Sequence, residues 1–504
     1  MASTKINVFA SFAGQFWTAI LGIIFVPIYL RYIGVEGYGL IGIFMSIQAF
    51  LNLLDFGVAP TLSREMARLS VSPDNAQEMQ DVRRTLQFPN RLSGLAILLI
   101  LCCLSPLFAN YWVNPVELSV STITQAFLLI SFSTAIQFLS GFNAGGLIGL
   151  QKQVLLNSIN IVCGTLRSVG AWIILAFVSP TIQAFLWWQI LIVVIQAIAT
   201  GIALKKSLLP APGKGRFRRE LLQRVWRFAI GMTGTGVLAM ILLQSDKFVL
   251  SRMANLKELG YYSLALTLSS MAIGMTVTSI TNVVYPKLSS LVALGDESLL
   301  KNHYHRGCQL MSFFLVPVVV VLAFFSYQTL LIWSRGNPEF ADHTHILLTL
   351  VAIGAGLNGL MMLPYHLQLA HNWTRLGIYL LTASIFTVVP LMIVGVYFYG
   401  TIGGALGWLV YNGLYGAIMI SIMHRRLLKG EQWRWLLKDV LPPVLAAVAL
   451  NALIYVLLND YILSLNWQRQ FFALAAISLL TMIASALSLS SIREIGMKKI
   501  FSYE

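Results

Sequence analysis

Residues 307–330 read GCQLMSFFLVPVVVVLAFFSYQTL, twenty-four positions without one charged side chain. As a helix this run is about 36 Å long at 1.5 Å per residue. A bilayer core is about 30 Å thick. Only helices and closed barrels satisfy their backbone inside lipid, and the run is too long and too continuous for a barrel strand. The same reading applies outward along the chain. It gives about fourteen spans, near 8–30, 38–58, 91–109, 123–148, 157–178, 182–203, 228–250, 260–283, 307–330, 344–370, 374–397, 402–423, 441–458 and 470–489. Hydrophobic residues make up 57% of the 504 and charged residues 11%, whereas a soluble chain is nearer about 25% charged.

The net charge of +15 would suit a nucleic-acid binder, but the placement of the charges excludes that reading. With the N-terminus inside, 27 of the 34 Lys and Arg residues fall in inner gaps, six in outer gaps, and Arg167 within a span. This positive-inside bias predicts that both termini are cytoplasmic. The first apolar run is longer than a signal-peptide core and has no evident cleavage site, so it is expected to stay as a span. The four cysteines, Cys102, Cys103, Cys163 and Cys308, lie in or beside apolar spans, with no metal spacing and no disulfide framework.

The most polar stretch is the basic linker 205–227. Pro210, Pro212, Gly213 and Gly215 break it, and 216–227 is expected to form an amphipathic helix on the inner surface. It serves either as a topological anchor or as a contact for anionic lipid. The linker separates six spans from eight, and an echo joins the two sides. Glu36-Gly37-Tyr38-Gly39 opens the second span and Leu259-Gly260-Tyr261-Tyr262 the eighth, while Pro60-Thr61-Leu62-Ser63 and Pro286-Lys287-Leu288-Ser289 close them. The expected organisation is therefore a six-helix bundle at 1–204, the linker 205–227, a second six-helix bundle at 228–424, and an extra helix pair with tail at 425–504. The fold class is an all-α integral membrane protein, with the two bundles related as a parallel repeat around a central cavity.

Polar residues at helical spacing point into that cavity. Gln15 lies on the polar side of the first span. Gln48, Asn52 and Asp55 share one face of the second, and Asn157, Asn160, Gly164, Arg167 and Ser168 align on the fifth. Gln244, Asp246 and Lys247 lie toward the outer end of the seventh span. On the eighth, Ser263, Thr267, Ser270, Gly274, Thr278 and Thr281 form a stripe that equally well serves close packing. Arg167 stands mid-span, where an arginine costs about 2.5–3.5 kcal/mol on insertion scales. It either has a structural partner or meets an anionic substrate, since planar guanidinium donors match phosphate oxygens. Asp55 forms a helix-end salt bridge or couples an ion. His366, after Pro364 at an expected helix break, is a structural hydrogen bonder or a proton site. There is no Walker loop, HExxH or GxSxG. The pairs His303/His305 and His343/His345 have no acidic or Cys partner at ligand spacing, so no enzyme, cofactor or metal site is expected.

One further set of residues carries a resemblance. Gly22, Pro27-Ile28-Tyr29-Leu30, Gly34, Glu36-Gly37-Tyr38-Gly39, Leu54-Asp55-Phe56-Gly57 and Ser63-Arg64-Glu65 resemble the bacterial polysaccharide (O-antigen type) flippases. Their superfamily also holds multidrug-and-toxin exporters and lipid II flippases. Asp246 and Leu259-Gly260-Tyr261-Tyr262 resemble the start of the family's second half. The likeness is strongest over 5–70 and 225–295. It implies two bundles around a V-shaped cavity and alternating access. The implied substrate is an oligosaccharide, usually on undecaprenyl diphosphate, turned to the outer leaflet of the bacterial inner membrane. Glycan polymerase and other assembly proteins are the implied partners, beside membrane lipids. No catalytic residue carries over. Arg167 would meet the diphosphate, and Gln15, Gln48, Asn52 and Gln244 the sugar hydroxyls. Export of a drug-like cation, or a scaffold role in glycan assembly, are the alternatives. The first span lacks the acid that drug exporters of the superfamily carry, which counts against export.

Overall fold

The computed structural model describes residues 2–53, 58–70, 72–210, 213, 215–220, 240–371, 373 and 375–489; of 2–13, 15, 49–53 and 73 it describes the backbone alone. The protein is helical almost throughout, and eleven of the described helices are long and apolar enough to cross a membrane. Two of these contain a sharp break. In α1 (Ala2–Leu53) Gly34 has φ 70°, and in α12 (Arg375–Leu427) Gly400 has φ 56°, a left-handed backbone that suits a residue without Cβ. Each break separates two expected spans. The expected span 228–250 lies mostly outside the described residues, as do 221–227 of the linker and the tail beyond 489.

The chain divides into two compact units, Met1–Gly260 and Tyr261–Glu504. In the first, α1 is followed by α2 (Val58–Leu69), α3 (Ala76–Leu107), α4 (Val120–Gly149), α5 (Gln153–Phe177), α6 (Ile182–Ser207) and α7 (Ser245–Met253). There α4 packs on α3 and α6, and α5 on α1 and α6. A buried apolar cluster ties these helices together and includes Leu62, Met66, Met79, Leu86, Phe142 and Leu204. The next helix, α8 (Leu256–Leu294), starts in the first unit and continues into the second. It is followed by α9 (Glu297–Phe324), α10 (Ser326–Trp333), α11 (Pro338–Ala370), α12, the short α13 (Glu431–Arg434), α14 (Leu441–Ser464) and α15 (Trp467–Ser488). The C-terminal pair α14 and α15 packs on α9. Contrary to expectation, α11 runs unbroken through Pro364.

Local sequence sets many of the helix starts. Ser119, Thr181, Asp296, Asn337 and Asn466 each accept the backbone N–H three residues on, satisfying donors that lipid would leave orphaned. Outward faces are apolar: Phe88, Leu92, Leu95 and Leu99 form an exposed stripe on α3 at spacings of four, three and four. Exposed to water such a stripe would be costly; facing acyl chains it is not.

Within the first unit, the Glu36 motif meets the start of α8. The buried Glu36 carboxylate accepts the N–H groups of Val116 (2.7 Å), Glu117 (2.6 Å) and Leu118 (3.0 Å), pinning the segment that leads into α4. A Cβ at Gly39 would overlap the Leu256 carbonyl oxygen, and a Cβ at Gly260 would overlap that of Val35. Asn114 completes the junction, donating to the Arg252 carbonyl at 3.1 Å and accepting Leu256 N–H at 2.9 Å.

Candidate functional site

The fifth-span stripe supplies the centre. Arg167 on α5 donates from one terminal guanidinium nitrogen to Gln196 Oε1 on α6 at 2.7 Å. Gln196 passes the polarity on, donating through Nε2 to Asn160 Oδ1 at 2.9 Å. The buried Arg167 Nε has no hydrogen-bond partner, and Arg167 has no ion pair, among the described residues. Its partner is thus a neutral amide, and its charge is not cancelled by a carboxylate.

Helix α1 walls this arrangement. Tyr29 hydroxyl donates to the Ser168 carbonyl at 2.9 Å, and Trp17 Nε1 to Thr165 Oγ1 at 2.8 Å. Gly14 lies against Asn157, where an added Cβ would sit 3.2 Å from Asn157 Oδ1. Trp17 is spoken for by Thr165, although 40% of its surface is exposed. The arrangement can hold an anion by charge and donor geometry, with amides beside it for hydroxyl groups.

The other nominated residues are placed as follows. Gln48 and Gln244 each keep a buried amide atom, Nε2 and Oε1, without a hydrogen bond among the described residues, and neither is bonded to Arg167. Asp246 is buried in the first turn of α7, with Lys247 beside it half-buried. His366 uses Nδ1 on the Met362 carbonyl at 2.7 Å and packs edge-on to Tyr285. The Gln15 and Asn52 side chains and all of Asp55 lie outside the described residues. On α8, Thr267 and Thr281 close onto carbonyls of their own helix, so part of that stripe satisfies itself.

The sequence reading missed a second polar centre. Buried His305 on α9 faces two carboxylates, Asp439 through Nδ1 and Glu431 through Nε2 at 3.0 Å. Gln309 Nε2 adds a donor to Asp439 Oδ1 at 2.8 Å. The acids lie 126 and 134 residues from the histidine, so no spacing rule finds them. The network joins α9 to the segment before α14. Among the described residues no group of His, Cys, Asp and Glu is arranged to hold a metal ion.

Residues 5–292 match the model of the family described as polysaccharide biosynthesis protein. A protein of Shigella flexneri named "Putative O-antigen transporter" is 22% identical over 409 residues, covering 79% of this chain and 92% of its own length. The fold is shared with the lipid II flippase MurJ in an inward closed conformation, at TM-score 0.69 and 16% identity, covering 99% of both chains. It is also shared with an inward-facing multidrug resistance MATE family transporter, at TM-score 0.63 and 13% identity, covering 83% of this chain and 94% of the other.

Proposed function

Since the chain belongs to the polysaccharide biosynthesis protein family, we propose that it is a flippase that carries a lipid-linked oligosaccharide across the membrane. The cargo is an undecaprenyl-diphosphate-linked glycan, taken from the cytoplasmic leaflet of a bacterial inner membrane and released in the outer leaflet by alternating access. The likeness to an O-antigen transporter supports the substrate class, and the shared fold supports transport. Two six-helix bundles, 1–204 and 228–424, would move about a polar chamber. The linker 205–227 would lie on the cytoplasmic side, as would both termini. A polymerase and other assembly proteins would consume the released product.

The observation that carries this reading is the Arg167 guanidinium, within a span and without a counter-charge among the described residues. A diphosphate would supply that charge, and Gln196 would hold the guanidinium in position for it. Gln15, Gln48, Asn52 and Gln244 would meet sugar hydroxyls. Asp246 and Lys247 would line the outer mouth, and Asp55 or His366 would couple an ion. Export of a cation would call for an acidic cavity, whereas Arg167 makes this one cationic.

Complementation tests this in a strain lacking its own copy. Arg167→Ala should lower surface glycan at least about tenfold, the loss of one charge-assisted contact, while membrane insertion stays normal. Arg167→Lys should keep part of the output. Full glycan from both variants rejects the diphosphate contact. Altered drug tolerance with unchanged glycan points to export instead.

A further inference from the structure

The linker is more than a topological marker. Its described part lies along α3 and bonds to one face of it. Gly213 N–H donates to Gln77 Oε1 at 3.1 Å, Arg216 N–H to Asp81 Oδ1 at 2.8 Å, and Arg218 N–H to Thr85 Oγ1 at 3.0 Å. The acceptors recur every four residues, so one helix face reads the strap backbone at regular intervals. Asp81 is fully buried there, and Arg218 Nε pairs with its other oxygen at 2.8 Å. Gly215 passes so close to the Gln80 carbonyl that an added Cβ would overlap it.

These bonds fix what comes between them. Phe217 stands between two anchored residues and meets Phe88 edge to face, with ring centroids 5.8 Å apart. The two rings, with Arg84, Gln87 and Arg91, line a pocket of about 510 Å³. Arg84, Phe88 and Arg91 share one face of α3 at spacings of four and three. Neither lining arginine has an ion pair among the described residues, and the neighbouring Arg83 keeps a buried Nε without a hydrogen bond. The apolar stripe Leu92, Leu95 and Leu99 continues from the pocket along the same helix.

We propose that this pocket holds the phosphate of an anionic membrane lipid, with its tails along the apolar stripe of α3. Two guanidinium groups supply charge and paired donors for phosphate oxygens. Two exposed rings give the interfacial apolar wall that a headgroup joined to acyl chains requires. Gln87 adds a neutral donor beside them. Free inorganic phosphate would use the arginines and ignore the stripe, which separates the two sources of the same chemistry. The site lies on α3 and the strap, apart from Arg167, and stands whether or not the flippase reading does.

Native mass spectrometry and thermal unfolding of the full chain test it, with phosphatidylglycerol, phosphatidylcholine and inorganic phosphate as probes. Phosphatidylglycerol should bind and raise the melting temperature, and the other two should not. The double variant Arg84→Gln/Arg91→Gln should bind it about thirtyfold more weakly, the loss of two charge-assisted guanidinium–phosphate contacts, with unchanged melting in phosphatidylcholine. Arg84→Lys/Arg91→Lys, which keeps the charge, should retain part of the affinity and guards against misfolding of the first variant. Lys205→Gln/Lys206→Gln removes equal charge nearby and should leave the affinity intact. Unchanged affinity in the Arg84→Gln/Arg91→Gln variant overturns the proposal. So does an equal loss in the Lys205→Gln/Lys206→Gln variant, or an equal shift with inorganic phosphate.

Discussion

Arg167 and His305 are two nitrogen-bearing side chains with opposite kinds of partner. Arg167 leans on the neutral amide of Gln196, whereas His305 is held between Asp439 and Glu431. Removing the supporting group should therefore cost different amounts. Gln196→Leu leaves Arg167 and Asn160 each short of a hydrogen bond and should destabilise the protein by about 1–3 kcal/mol. Asp439→Ala strips two buried groups, the histidine and Gln309, of their shared acceptor and should cost more, about 3 kcal/mol or above. Thermal unfolding in detergent checks both, and equal losses would contradict the contrast. The sequence singled out Arg167 because a charge in a span is conspicuous. It did not reveal Gln196, one of three glutamines in a mainly apolar sixth span, because an amide there has many candidate neighbours. The acids facing His305 were hidden for a different reason: the fold brings them together across more than a hundred residues.

Helices were legible from hydropathy, whereas the caps that start several of them emerged only in the structure. Asp296 shows what a cap contributes. Its carboxylate accepts Leu299 N–H and Ser298 Oγ–H, each at 3.0 Å, and these bonds to the charged form hold its pKa below the ordinary carboxylate value. A depressed carboxylate stabilises the fold above its unfolded pKa, and that contribution disappears as the pH falls through the lowered folded value. The stability gap between the protein and Asp296→Ala should thus be steady near neutrality and shrink in acid. A pH series of unfolding curves measures it, and a gap that widened in acid would reverse the sign. Proline was a poorer guide than hydropathy. Pro364 promised a break in α11, yet the helix continues, as packed membrane helices allow when neighbours satisfy the backbone. Glycine spoke more clearly, because Gly39 and Gly260 sit where backbone meets backbone. Gly39→Ala should lower stability by about 1–3 kcal/mol through overpacking, measured by the same unfolding assay. No loss would mean that the junction is looser than the structure shows.

For the molecule as a whole, charge asymmetry and hydropathy gave the membrane class and the all-helical fold. They could not give the linker's docking on α3, because Gln77, Asp81 and Thr85 carry no signal until the strap's N–H groups are laid against them. Topology remains testable by labelling. A cysteine at Lys205 should react with membrane-impermeant thiol reagents only when the inner side is opened, and one at Asn114 should react from outside. The reverse pattern would overturn the orientation drawn from the 27 inner basic residues. Substituted cysteines along the polar stripes should be reachable by water-borne reagents if the chamber exists.

The break at Gly400 bears on how such a chain is made. Gly395 and Gly403 press backbone to backbone across it, and Tyr397, Phe398 and Tyr399 crowd its tip. No polar loop lies there for the insertion machinery to hand across the bilayer. The two arms of α12 are complementary along this seam, so a ribosome stalled between them would leave the first arm without the companion it was shaped to meet.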